Sequence, residues 1–320
     1  MKRFLKIFFM AFICFALTIG AGMATYYKIF DKEGKNPTLS QEELDKIKDP
    51  LEKAAKSSRH KRVNVLLLGM EGARTDTMMF CSFDMEHKKV DVVSIPRDTY
   101  YYRSGYERAD QRKINAVYGA EKIKGTINAV EDVLGVEGLI DHYAMIDYKG
   151  VENIVDSVGG VEVDVPFHMK YFDPTDKPPL RIDIPKGKQT LNGKKAVQFL
   201  RFRHDNSYKV GYSEGDLGRI KAQQGFVTSF IDKALSLKFL SLVKTSIQEV
   251  ETDIRITDAL EYGTKAMGID KNDIKMTTLP GEAEYKQYGK QKLAYFVYDK
   301  KETRKLMEDI FGNDLSNIKE

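Results

Sequence analysis

Tryptophan is absent and cysteine nearly so. Only Cys14 and Cys81 occur in 320 residues, which excludes a disulfide framework. Cys81 lies in the apolar run Met-Met-Phe-Cys-Ser-Phe (residues 78–83) and reads as a small buried hydrophobe, not a reactive thiol. The five histidines include no pair at metal-ligand spacing, and no Gly-x-Ser-x-Gly elbow is present. Covalent acyl chemistry therefore finds no support. A dominant charge sign is missing as well: 51 Lys and Arg against 47 Asp and Glu leave a net charge of +4. That is too little for a general nucleic-acid binder, and no helix-turn-helix pattern is visible. Any affinity for anions must come from local clustering. Internal repeats and low-complexity tracts are absent too.

Long apolar runs are also missing, with one exception. Residues 7–27 carry no charge and follow a short basic N-terminus, Met1-Lys2-Arg3. This is about the 20 residues that span a bilayer as a helix, and the basic end predicts that the N-terminus stays in the cytoplasm. A cleaved signal peptide is the rival reading, since Gly22-Met23-Ala24 loosely resembles a cleavage site. The length of the run favours an uncleaved anchor over residues 1–27. Either way the bulk of the chain is exported. Residues 28–61 form a polar stalk, read as a solvated spacer, in which Ser40 and Glu43 fit a capping box.

Order is expected from residue 62 to 320 as one domain. Short apolar runs at 63–69, 77–83, 90–95, 142–147 and 161–165 read as strands. Helical patterns fall between or after them, at 116–120 and 126–134, 150–157, 194–200 and 217–235. Helices at 243–250 and 258–267 and a late strand at 295–298 follow. Interleaved strands and helices predict an α-β-α sandwich around a central mixed sheet.

Arginine sits where folding alone rarely puts it. In Asp216-Leu-Gly-Arg219-Ile-Lys-Ala-Gln223, Asp216 reads as an N-cap, so Arg219 falls in the first helical turn with Gln223 one turn on. A cation is misplaced there, beside the positive end of the helix dipole. The pattern makes sense if an anion is shared by the free N–H groups, Arg219 and Gln223. Arg201-Phe202-Arg203 places two guanidinium groups on one side of an extended segment with Phe202 inward. Ser94-Ile-Pro-Arg97-Asp98-Thr99 sets Arg97 at a strand end, where sheet crevices take ligands. Glu71 and Asp76 flank Arg74 in a short loop; two such carboxylates suit a hard divalent cation whose shell a phosphate completes, and Arg74 adds a cation. Lys113 before a helix offers another.

Order and spacing carry more than any single motif. The anchor, Asn64-Val-Leu-Leu-Leu-Gly, Arg74-Thr-Asp-Thr, Ser94-Ile-Pro-Arg-Asp-Thr, Lys113-Ile-Asn, Gly159-Gly-Val-Glu-Val-Asp-Val-Pro, Gln189-Thr-Leu-Asn-Gly, Arg201-Phe-Arg and Asp216-Leu-Gly-Arg-Ile-Lys-Ala-Gln-Gln closely resemble the LytR-CpsA-Psr family over residues 62–285. The resemblance implies an enzyme outside the cytoplasmic membrane. It would transfer a glycopolymer, such as teichoic acid or capsule, from a polyprenyl-pyrophosphate carrier to peptidoglycan through a phosphodiester. It implies pyrophosphate binding by Arg97, Arg201, Arg203, Arg219 and Gln223, a lesser contact from Lys113, and a magnesium (or manganese) ion at Asp76. Arg97 and Arg219 would stabilise the reacting phosphate, and Asp76 is also a candidate base. Asp98 would orient Arg97. Phe226, Val227, Phe230 and Ile231, with strand 77–83, are candidates to line a groove for the lipid. One departure stands out: the family carries an aspartate soon after the first strand's glycine, followed by a longer loop, where this chain has Glu71 in a short one. A carrier pyrophosphatase and a non-catalytic envelope sensor are the competing readings.

Overall fold

The computed structural model describes residues 39–312, apart from 237–248, 289–290 and scattered positions between 256 and 270. The expected anchor, the start of the stalk, Cys14 and most of the expected helix 243–250 lie outside the described residues. Among the described residues no helix is long and apolar enough to cross a membrane. The chain divides into two compact units, one of Thr25–Met145 with Asp273–Glu320 and one centred on Ile146–Asn272.

The first unit opens with α1 (Gln41–Asp45) and α2 (Pro50–Ser57). Ser40 and Glu43 form the expected capping box, and Asp49 caps α2 through the N–H groups of Leu51 and Glu52. Within the segment read as a spacer, α2 buries Leu51, Ala54 and Ala55. Three strands follow: β1 (Arg62–Glu71), β2 (Arg74–Asp84) and β3 (Lys89–Ile95). From Met78 onward every residue of β2 is buried, as a strand covered on both faces should be. Helix α3 (Val117–Leu134), broken at Lys122, leads to β4 (His142–Asp147).

In the second unit, α4 (Tyr148–Ser157) is capped by Asp147, whose carboxylate accepts the Gly150 N–H at 2.7 Å. Four strands follow: β5 (Val161–Val165), β6 (Met169–Asp173), β7 (Leu180–Ile184) and β8 (Gly187–Leu191). β5 pairs antiparallel with β8, and β6 with β7. Helix α5 (Gly193–Arg201) starts from an Asn192 cap, and α6 (Asp216–Ser236) and the short β9 (Val250–Thr252) complete the unit. Its core gathers Val161, Val165, Met169, Ile184, Phe199 and Phe202.

The chain then returns to the first unit with β10 (Ile274–Thr278), β11 (Gly281–Tyr288), β12 (Gln291–Tyr298) and α7 (Lys300–Ile310). Its sheet runs β10-β3-β2-β1-β4. β2 runs antiparallel to both β1 and β3, while β10 lies parallel to β3. The α/β class with a central mixed sheet is therefore as expected. Strands β6, β7, β8, β9, β10 and β11 and helices α2 and α7 were not foreseen.

Candidate functional site

The expected loop at residues 69–77 is a tight hairpin. Glu71 pairs with Arg74, and Gly72 takes the left-handed turn conformation at φ 58°. The register shifts after Gly69: Thr77 faces Gly69 and Thr75 faces Met70, leaving Asp76 with no residue opposite. Such a bulge bends the strand and re-aims a side chain. Asp76 is thereby set against the end of β3, where its Oδ1 accepts Arg97 Nη1 at 2.8 Å. Both side chains are largely buried. Pro96 ends the ladder, and the Arg97 carbonyl accepts the Asn115 N–H at 3.3 Å, fixing the backbone that carries the guanidinium.

Asp98 does not orient Arg97. Its Oδ1 instead takes Lys113 Nζ at 2.8 Å, and the same ammonium lies 5.7 Å from the centre of the Tyr295 ring. Arg74 is more exposed and meets Asp110 at 3.1 Å. The first unit thus brings Glu71, Arg74, Asp76, Arg97 and Lys113 to one region of hairpin and strand ends, with Arg74, Arg97 and Lys113 each facing a carboxylate.

In the second unit, Arg201 is the last residue of α5 and Phe202 the extended cap beyond it, 1% exposed. Only that cap is extended; Arg201 itself is helical, a position that suits a cation at the negative end of the dipole. Its Nη2 meets Asp176 Oδ2 at 3.0 Å, and its guanidinium lies 4.6 Å from the centre of the Tyr148 ring. Neither partner was anticipated, because the β6–β7 turn carrying Asp176 has no periodic signal in a Pro-rich stretch. Arg203 follows Phe202, and its carbonyl accepts the Tyr212 N–H at 3.3 Å.

Helix α6 begins at Asp216, and the Gly215 carbonyl accepts the Arg219 N–H at 3.3 Å. Asp216 is thus inside the helix, not its cap, and the N–H groups left for an anion are those before Arg219. Arg219 and Gln223 are 5% and 8% exposed. Gln223 Nε2 donates to the Leu200 carbonyl at 3.2 Å, tying Gln223 to the last turn of α5, next to Arg201 in sequence. Gly218 is required here, since a Cβ would come 2.6 Å from that of Tyr212. Burial pushes the Tyr212 phenol up, with the Arg219 charge acting in the opposite direction. Phe226 lines a groove of about 470 Å³ with Val163, Phe199, Tyr212 and Ala222, beside the Lys221–Glu214 ion pair. The strand residues Met78 to Phe83, also expected to line a lipid groove, are buried.

Among the described residues no group of three or more His, Cys, Asp or Glu forms a ready metal cage. Magnesium asks for less: one or two carboxylates, with phosphate and water completing its shell. Asp76 and Glu71 are hard oxygen donors on one hairpin, the ligand type such an ion takes.

The sequence profile of the LytR_cpsA_psr family matches residues 28–311. The chain belongs to that family. Among LytR_cpsA_psr relatives, "Polyisoprenyl-teichoic acid--peptidoglycan teichoic acid transferase TagV" of Bacillus subtilis is 27% identical over 93% of this chain and 75% of its own length. "Regulatory protein MsrR" of Staphylococcus aureus is 28% identical over 70% of this chain and 66% of its own. The crystal structure of B. subtilis TagV matches with a TM-score of 0.63 at 28% identity, covering 79% of this chain and 98% of that one.

Proposed function

We propose that this chain joins a glycopolymer to peptidoglycan, taking it from a polyprenyl-pyrophosphate carrier. The observation that carries the reading is Arg219 and Gln223, both more than nine-tenths buried near the start of α6. The first-turn N–H groups ahead of Arg219 and the positive end of the helix favour an anion there, and an arginine fork suits phosphate oxygens. The teichoic acid transferase named among the relatives supports the polymer and the acceptor.

The acceptor hydroxyl attacks the phosphorus that bears the sugar. The bond to the bridging oxygen breaks, polyprenyl phosphate leaves, and the hydroxyl proton passes to a base. Phosphoryl transfer asks mainly for positioning and charge neutralisation, which Arg97, Arg201, Arg203 and Arg219 supply, with Arg74 and Lys113 as further phosphate contacts. Magnesium or manganese held by Asp76 and Glu71 would neutralise phosphate charge. Asp76 and Asp176 each face an arginine that the phosphate would claim, so binding exchanges carboxylate partners for phosphate. The anchor at 1–27 would keep the folded α/β part outside the cytoplasmic membrane, beside its lipid substrate. The groove at Phe226 would take the lipid.

The test combines the full-length chain, a synthetic polyprenyl-pyrophosphate glycan, peptidoglycan oligomers and Mg²⁺, with products identified by mass spectrometry. A phosphodiester adduct is expected, falling about two to three decades in rate in Arg219→Ala. Free glycan phosphate without adduct would make the chain a pyrophosphatase. Tight lipid binding without turnover would make it a sensor, the reading to which the regulator name among the relatives points.

A further inference from the structure

Immediately after Arg203, the chain makes a loop that presents an aromatic ring to solvent at the expense of backbone comfort. Tyr208 is 78% exposed and adopts φ 57°, a left-handed conformation that is an outlier for a bulky residue. The loop is held rigidly in this state. The Asp205 carboxylate accepts the N–H groups of Lys209 and Val210 at 2.8 and 3.1 Å. The Asn206 amide both accepts from the Phe172 N–H and donates to its carbonyl, each at 2.8 Å. Gly211 lets the returning strand lie on the arginine segment, since a Cβ would come 2.7 Å from the Arg203 carbonyl. One face of the Tyr208 ring stacks on His204 at 4.0 Å, and Tyr171 meets that imidazole edge-on at 6.3 Å. Tyr171 stands in the β6–β7 hairpin whose turn carries Asp176, the partner of Arg201 at 3.0 Å, and His204 directly follows Arg203. The aromatic stack therefore adjoins the arginine segment, within one unit.

Folding gains little from an exposed, strained tyrosine, whereas ligand binding gains a flat amphipathic face already fixed in place. We propose that Tyr208, backed by His204, is the platform on which the sugar attached to the carrier pyrophosphate packs. The inference rests on the reading of Arg201 and Arg203 as phosphate ligands. In that substrate the first sugar is one bond from the phosphate, so it must lie beside whatever holds the phosphate. The apolar face of a pyranose matches the outer face of the ring.

The experiment uses the full-length chain in detergent and two probes: a short prenyl pyrophosphate, and the same molecule with N-acetylglucosamine on its terminal phosphate. Tyr208→Ala should weaken binding of the glycosylated probe about fivefold and shift the sugar-free probe less than about twofold, while Tyr208→Trp retains the sugar preference. Equal losses for both probes, or no loss for either, would overturn the platform. Arg201→Ala should weaken both probes; if it weakens neither, the phosphate reading itself fails, whatever Tyr208 does.

Discussion

At the scale of single residues, the chemistry of each side chain was readable and its partner was not. Cys81 is the simplest case. Its apolar neighbours in sequence marked it as buried, and burial pushes its thiol up to about 12. The native protein should therefore resist iodoacetamide at pH 8 and react once unfolded in guanidinium, read by mass spectrometry; rapid native alkylation would contradict the burial. The arginines were legible for a different reason: Arg219 early in a helix conflicts with the dipole, Arg97 follows an apolar strand and Arg201 and Arg203 form a pair, all visible in the sequence itself. Their carboxylate partners come from distant segments, Asp76 for Arg97 and Asp176 for Arg201. No local rule links those positions. The assignment of Asp98 to Arg97 followed sequence adjacency, but successive side chains point apart, and Asp98 found Lys113.

At the scale of elements, strands covered on both faces announced themselves as apolar runs, and helices as 3.6-residue periodicity. The hairpin strands β6, β7 and β11 were missed because polar and charged residues alternate through them without such a run. The bulge at Asp76 was also invisible, since register belongs to two strands at once. Strand β3 carries a testable tension. Asp91 lies across from Ser82 in β2 and Lys275 in β10. Burial raises its carboxyl above the ordinary carboxylate value even though Arg62, Lys275 and Lys89 pull it down. A carboxyl raised in the folded state costs stability at every pH above its folded value, and the cost fades as pH falls to the unfolded value of about 3.9. Asp91→Asn should therefore raise the melting temperature at pH 7, with the gain shrinking toward pH 4. A lower melting temperature at pH 7 would show that the ion pairs outweigh the burial.

At the scale of the whole molecule, the segment before the first strand is the clearest departure from a reading by composition. Polar content suggested a spacer, yet Leu51 and Ala54 are fully buried and Asp49 meets both terminal guanidinium nitrogens of Arg304, at 2.6 and 2.8 Å. Leu51→Ala should cost about 2–5 kcal/mol in denaturant unfolding, as for other large-to-small core changes; a neutral result would return α2 to the role of a spacer. Family membership, the α/β class, the buried strands and the residues suited to phosphate were all determined by the sequence alone, because motif spacing, apolar runs and misplaced charges are properties of the chain in one dimension. Only the tertiary structure decided which carboxylate faces which cation, where the register breaks to turn Asp76, and that a strained loop holds Tyr208 outward beyond the arginine pair. Those outcomes depend on segments far apart in the chain meeting, and the free energy that selects among such meetings comes from packing and burial over the folded whole.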